Sequence, residues 1–314
     1  MQTTVGTDIQ KAREFLNSGE LVAIPTETVY GLAANGLDPV AVSKIFEAKN
    51  RPSFDPLILH IGNLDMLEKL TVSVPQVALD LAAVFWPGPL TLILSKSEDV
   101  PHIVTSGLGS VGVRMPNHPA TIELLRSLSF PLAAPSANLF GYVSPTTALH
   151  VVKQMDTKIP YVLDGGPCDV GVESTIVDLT GHHAVLLRKG GIAPEEIARI
   201  TGKLEIQTSG TSNPKAPGML TSHYSPGKPF IVGNPKEIAE KYKSEKIGVL
   251  GFTSTWGFEG KVLSASGNLR EAAKNLFAHM RELDDSDCDV IIAETVPDEG
   301  LGMAINDRLR RASS

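Results

Sequence analysis

Apolar and polar positions alternate along this chain in short blocks rather than in long periodic stretches. Residues 8–16 place apolar side chains at helical spacing and stop at Asn17-Ser18-Gly19. The run Leu21-Val22-Ala23-Ile24 is continuously apolar and is cut by Pro25, the pattern of a buried strand. Helical spacing returns at 39–48, with Val42, Ile45 and Phe46 on one face, and again at 77–84, 120–128, 146–154 and 194–200. Strand-like runs lie at 57–61, 90–94, 111–114, 132–134 and 161–164, and residues 174–179 and 184–188 read as paired strands. The alternation is irregular. It predicts an α+β arrangement, a twisted mixed sheet with helices packed on it, rather than a purely parallel doubly wound sheet.

The pattern breaks at Gln207. Residues 208–215 are rich in Ser, Thr, Gly and Pro, as in a linker, and Pro217-Gly218 and Pro226-Gly227 add turn chemistry. Regular spacing resumes at Phe230, with strands at 247–251 and 290–293 and helices at 268–283 and 302–311. This predicts a smaller Rossmann-like α/β domain. The expected division is 1–206, a linker at 207–229, and 230–314, without internal repeats.

Composition narrows the classes. Of 314 residues, 42% are hydrophobic and 20% charged, enough for packed cores and unlike a disordered chain. With 28 basic and 35 acidic residues the net charge is −7. That argues against a whole-surface grip on nucleic acid or anionic lipid and leaves room for a local basic cleft. Cys168 and Cys288 stand far apart, which excludes a disulfide framework and a cysteine-based zinc site and fits a reducing compartment. Residues 1–24 carry early acidic residues and no long apolar core, so no secretory signal is expected. No apolar stretch approaches the roughly 20 residues of a spanning helix. A cytoplasmic protein without membrane contact is predicted.

Two short motifs stand out as chemistry. Lys49-Asn50-Arg51-Pro52 sets two cations at a helix end, and Ser136-Ala137-Asn138 sets a hydroxyl and an amide at the same spacing after Pro135. Together they suit a polyphosphate cradle. Each half has a plain alternative: cations that suit a helix C-terminus, and polar side chains that cap the next segment. Thr26 and Thr28 follow a predicted strand directly, where loops often hold ligands, or form an ordinary Thr-rich turn. Arg114 could clamp a carboxylate or sit in a surface ion pair. His60 could serve the site or be a satisfied core histidine. Glu173-Ser174-Thr175 and Arg188-Lys189-Gly190-Gly191 bound the paired strands, where small residues beside an arginine permit close approach to a ligand or simply shape a hairpin. Walker-type, dinucleotide-binding and zinc-protease signatures are absent from the sequence.

Taken in order, the motifs PTETVYGL, KNRP with PLILHI, WPGPLT, VGVRMP, APSAN with SPTT, ESTIVD and LRKGGI resemble the YrdC-like family over roughly residues 5–205. The segment APGMLTSHYSP and the tail GLGMAINDRLRRA resemble its long, two-domain form. The resemblance implies a nucleotidyltransferase that makes threonylcarbamoyl-AMP from L-threonine, bicarbonate and ATP, releasing pyrophosphate. A downstream transferase complex then places the threonylcarbamoyl group on the adenosine beside the anticodon of some tRNAs. It implies ATP contacts from Lys49, Arg51, Ser110, Ser136, Asn138, Ser144 and Arg188, with Tyr224 folding over the nucleotide. It implies a threonine site made by Thr28, His60, Arg114, Ala134 and Ser174. Mg²⁺ is expected on the ATP phosphates, with no protein metal site. Residues 213–228 are expected to act as a lid, whereas spacing alone makes them a tether. Two departures from the family are Asp55, where many relatives carry Asn, and Leu220-Thr221-Ser222, where some carry basic residues.

Two other classes compete. One is an RNA-binding module, since the family's concave surface also suits weak contact with tRNA or other double-stranded RNA; the acidic net charge weighs against it. The other is a carbamoyl-phosphate-using relative, which usually sits in a larger chain with zinc-binding cysteines that this sequence lacks.

Overall fold

Two sheets divide the chain. The structure, a computed structural model, describes residues 2–208, 216–219 and 223–313. The first part runs β1 (Thr4–Gly6), α1 (Ile9–Asn17), β2 (Val22–Ile24), β3 (Gly31–Asn35), α2 (Pro39–Lys49), β4 (Ile58–His60), α3 (Asp65–Leu70), α4 (Gln76–Phe85), β5 (Leu90–Ser95), α5 (His102–Thr105), β6 (Ser110–Arg114) and α6 (Pro119–Ser127). It continues through β7 (Leu132–Ala133), α7 (Ala148–Met155), β8 (Tyr161–Leu163), β9 (Thr175–Asp178), β10 (Ala184–Arg188), α8 (Pro194–Thr201) and β11 (Leu204–Ile206). The second part holds β12 (Phe230–Val232), α9 (Pro235–Ala239), β13 (Ile247–Gly251), β14 (Gly260–Val262), α10 (Leu269–Asp285), β15 (Val290–Ala293) and α11 (Gly302–Ala312).

The larger sheet has 11 strands in the order β1-β8-β2-β3-β7-β4-β6-β5-β9-β10-β11. It mixes parallel pairs such as β4–β6 and β5–β9 with antiparallel pairs such as β2–β3 and β9–β10. The smaller sheet, β12-β15-β13-β14, is parallel throughout, as the Rossmann-like expectation required. β2 explains why the large sheet is covered twice. Leu21 and Ala23 join the core under α2, α4 and α7, while Val22 and Ile24 join a second core under α1 and α6. Strand side chains alternate between faces, so a continuously apolar strand feeds both.

Several elements lie outside the sequence pattern: β1, β3, β11, β14 and the short helices α3, α5 and α9. β3 is Gly-Leu-Ala-Ala-Asn, poor in the β-branched residues that mark strands, and it forms because its small side chains are buried between β2 and β7.

The linker is more than a tether. Ala216 and Met219 are buried against Ile58, Ile93, Ile176 and Leu187 of the large sheet. Tyr224 joins a cluster that includes Val29, Val143 and Val172 from the first part and Leu276, Phe277 and Ile305 from the second. Two apolar clusters therefore hold the described linker residues, one on the large sheet and one shared by both parts of the chain.

Candidate active site

The loops that carry the two opening motifs are fixed by backbone geometry. Asp38 caps the start of α2, with Pro39 in its first turn. At the other end Asn50 adopts the left-handed conformation (φ 53°) and closes the helix. This turn leaves Lys49 as the last helical residue, pointing inward, and sends Arg51 into the following loop. Lys49 Nζ donates to Ser136 O at 2.6 Å and also to Asn138 O. The two motifs therefore touch, although 87 residues separate Lys49 from Ser136. Burial, and then the nearby Arg51, hold the Lys49 ammonium well below its ordinary pKa.

Arg51 is buried and bound by its own loop. Nε donates to Asp55 O (3.1 Å), Nη2 donates to Pro56 O (2.9 Å), and Nη2 lies 2.8 Å from Asp55 Oδ2. The Asp55 carboxylate has 0% exposure. Burial pushes its pKa up, against the pull of Arg51, Lys49 and Arg188. Its place beside Arg51 answers how an anion is tolerated there: it is the counter-charge of a buried arginine.

His60 and Arg114 meet in register between β4 and β6. Arg114 Nη2 is 2.7 Å from Glu27 Oε1, and Nε donates to Gly88 O at 3.2 Å. Glu27 Oε2 accepts from Asn117 N, so this carboxylate ties the PTETVYGL loop to the end of β6. Burial, and then Arg114, push the His60 imidazole down to about 3, so it is neutral at ordinary pH. Thr26 makes the local turn, bonding Val29 O and Thr28, while Thr28 itself faces the cavity.

Arg188 ends β10 at a register shift. Its Nε donates to Ser174 O (3.0 Å), Nη2 to Ser174 Oγ (2.9 Å) and Nη1 to Pro217 O of the linker (3.1 Å). Ser174 Oγ also lies 2.7 Å from Thr91 Oγ1. Burial lowers the Arg188 pKa. The neighbouring Gly190 makes a close approach to backbone rather than to a ligand. A Cβ there would stand 2.4 Å from Ser174 C and Thr175 N, so the hairpin alternative accounts for that glycine.

Of the residues singled out from sequence, Thr28, Arg51, His60, Arg114, Ala134, Ser136, Ser174, Arg188 and Tyr224 line one cavity. Lys49 stands behind it through Ser136. Asn138 donates its amide to Leu139 O and Tyr142 O, and Ser144 donates to Glu173 Oε1 at 2.6 Å; both stand outside the cavity wall. Ser110 opens β6, four residues or about 13 Å of strand from Arg114. It pairs with Ser95 and is not in the wall.

Glu173, Pro217, Gly218 and His223 also line the cavity. Glu173 was visible in the sequence only as a strand boundary. Burial alone would raise its pKa, but Arg308, Arg188 and Ser144 outweigh burial and hold it below the usual value. Arg308, from α11, lies inside the quoted tail motif GLGMAINDRLRRA, which gave no sign that its side chain reaches the cavity wall.

The linker roofs the site. Tyr224 is left-handed (φ 69°), buried, and pushed up to about 12, chiefly by burial and the Glu173 charge. Of the expected lid, 213–215 and 220–222 lie outside the described residues. With 216–219 and 223–224 in place the cavity encloses about 50 Å³, well short of the roughly 300–1,000 Å³ of pockets that enclose drug-sized ligands. Among the described residues no group of three or more metal-ligating side chains gathers. The carboxylates Glu27, Asp55 and Glu173 are each paired with an arginine. No described helix is long and apolar enough to cross a membrane.

Comparison with known proteins adds an independent line. A family model described as "Telomere recombination" matches residues 14–190, and one described as "Threonylcarbamoyl-AMP synthase, C-terminal domain" matches 192–314. The threonylcarbamoyl-AMP synthase of Pyrococcus abyssi is 45% identical, over 97% of this chain and 94% of that protein. That of Bacillus subtilis is 41% identical, over 99% and 94%. The crystal structure of P. abyssi Sua5 complexed with L-threonine superposes with a TM-score of 0.93 over 97% of this chain and 94% of that one, at 45% identity.

Proposed function

This chain belongs to the threonylcarbamoyl-AMP synthase family in its two-domain form, and from that premise we propose how its residues work. It is a nucleotidyl-transferring enzyme that forms threonylcarbamoyl-AMP from L-threonine, bicarbonate and ATP with release of pyrophosphate, for threonylcarbamoyladenosine modification of tRNA. The observation that carries the assignment of roles is the convergence of three buried arginines, Arg51, Arg114 and Arg188, on one cavity beneath the linker.

Threonine's amine and bicarbonate give a carbamate and water. A carbamate oxygen then attacks the α-phosphorus of ATP, and pyrophosphate leaves. Both reacting groups are anionic, so the protein's task is charge neutralisation and alignment, with no covalent nucleophile. Lys49, Arg51, Ser136 and Arg188 bind ATP, with Asn138 and Ser144 shaping the walls behind them and Ser110 as an outlying contact. Thr28, His60, Arg114, Ala134 and Ser174 hold threonine; the Arg114 guanidinium takes its carboxylate, and neutral His60 adds no further charge. Mg²⁺ enters as part of the ATP substrate and neutralises phosphate charge there. The engaged state of the three site carboxylates supports that reading.

We assign residues 1–206 to catalysis, 207–229 to the linker and lid, and 230–314 to the smaller domain. The small volume of the cavity and the linker residues Pro217, Gly218, His223 and Tyr224 in its wall support a lid that opens for ATP and shuts water away from a hydrolysable adenylate. The tRNA pathway and two free buried cysteines support work in the cytoplasm, where a threonylcarbamoyl transferase complex consumes the adenylate. The deciding experiment mixes purified protein with ATP, Mg²⁺, bicarbonate and L-threonine. Pyrophosphate release should require both threonine and bicarbonate; release independent of them rejects the synthase reading.

A further inference from the structure

Arg308 belongs to α11 of the smaller domain, yet its fully buried guanidinium reaches the larger one. Nε donates to Glu173 Oε2 at 3.0 Å. Nη1 donates to Lys189 O at 2.7 Å and to Asp307 Oδ2 at 3.0 Å. The guanidinium carbon lies 5.3 Å from the centroid of the Tyr224 ring, which also stacks on Phe277 of α10 at 5.5 Å. Glu173 is a cavity-wall carboxylate whose other oxygen accepts from Ser144, and it precedes Ser174, the partner of Arg188. One side chain from the smaller domain therefore touches the wall of the site and the ring that closes it.

The energetics favour a role in geometry over one in raw stability. Desolvating a buried ion pair costs about as much as the attraction returns, so such a pair mainly selects one arrangement. Tyr224 meanwhile holds a left-handed backbone (φ 69°) that a non-glycine residue keeps only when its surroundings impose it. Phe277, His223 and Arg308 are those surroundings.

We propose that Arg308 is the positioning residue through which the C-terminal domain holds the synthase site closed, fixing Glu173 and seating Tyr224 over the cavity. This deepens the synthase reading and rests on it. Without the guanidinium, Tyr224 relaxes, its neighbours Gly218 and His223 lose their seat, and water reaches the adenylate. Water then cleaves the carbamoyl–phosphate anhydride to AMP and the carbamate, which loses carbon dioxide to return threonine.

The test uses the full-length protein, Arg308→Lys, and the double variant Glu173→Gln/Arg308→Met, which removes both members of the buried pair together and leaves Asp307 its contact with Arg311. Three quantities are measured: kcat/KM for ATP, the ratio of AMP to threonylcarbamoyl-AMP formed, and the melting temperature. Both variants should melt cooperatively, lose at least tenfold in kcat/KM, and raise the AMP ratio severalfold. A lower amount of folded enzyme cannot move that ratio. An unchanged ratio overturns the inference, whether activity is retained or falls with the folded fraction. Loss of cooperative melting in both variants also overturns it, because Arg308 would then serve folding. The parent enzyme's dependence on threonine and bicarbonate tests the synthase reading separately, whatever the variants do.

Discussion

His60 of β4 lies beside Arg114 of β6 in parallel register, and burial together with that guanidinium keeps the imidazole neutral down to about pH 3. An unfolded histidine takes up a proton near 6.5, so unfolding binds a proton between those limits. Stability contributed by neutral His60 is complete above that window and is lost as pH falls through it. His223 (about 3) and His150 (about 4) act in the same sense. Asp55, whose pKa burial raises, acts in the opposite sense, so a difference between parent and variant is the clean measure. The melting temperature should decline from pH 7 toward 4.5, and His60→Asn should flatten the decline, by up to about 1.4 kcal/mol per pH unit. Equal slopes in parent and variant would refute the neutral-histidine account.

Arg51 and Asp55 neutralise each other with almost no solvent access. Arg51→Ala should weaken ATP use at least tenfold, since a charge-assisted contact is worth about 1.5–3 kcal/mol. It should also lower the melting temperature, because breaking a buried pair costs about 3–5 kcal/mol. Adding Asp55→Asn should restore much of the melting temperature and little of the ATP use. Recovery of both in calorimetric melts and ATP titrations would leave Arg51 as a mere counter-ion.

Gly218 takes a left-handed φ of 77° in the roof, where a Cβ would lie 2.9 Å from the Tyr224 hydroxyl. Gly218→Ala should therefore disfavour closure by about 1–3 kcal/mol. The expected result is a KM for ATP raised by roughly five- to a hundredfold with a melting temperature close to the parent's. Parental KM in steady-state assays would remove Gly218 from the lid.

Arg114 holds Glu27 and Gly88 O through different nitrogens, a fork that lysine cannot reproduce. Arg114→Lys should raise the KM for threonine about tenfold or more and leave the KM for ATP within twofold. Measured as threonine-dependent pyrophosphate release, an effect confined to ATP would contradict the assignment of Arg114 to threonine.

Much of the site was legible because its chemistry sits in ordered local motifs. Lys49 ends α2 and Arg51 opens the loop after it, Ser136 and Asn138 share another loop, and Thr28 lies in the loop after β2. The legible part has limits. Ser110 stands about four strand residues from Arg114 and outside the cavity wall, since a motif gives proximity in sequence and not the direction of a strand. Glu27, Glu173 and Arg308 lie inside quoted motifs, but their roles were opaque because each acts through a partner 87 or more residues away (Glu27 through Arg114, Glu173 and Arg308 through one another). β3 was opaque too, since Gly-Leu-Ala-Ala-Asn becomes a strand only when its neighbours bury it.

The sequence by itself determined the mixed first sheet, the parallel second sheet and most of the cavity's side chains. Those follow from local periodicity, turn chemistry and motif order, which neighbouring residues set. Only the tertiary structure decided that Lys49 bridges the two opening motifs, that Asp55 is Arg51's counter-charge, and that Ala216, Met219 and Tyr224 of the linker are buried over the site. Such facts are set by desolvation and charge pairing between distant segments, which have no local pattern to betray them.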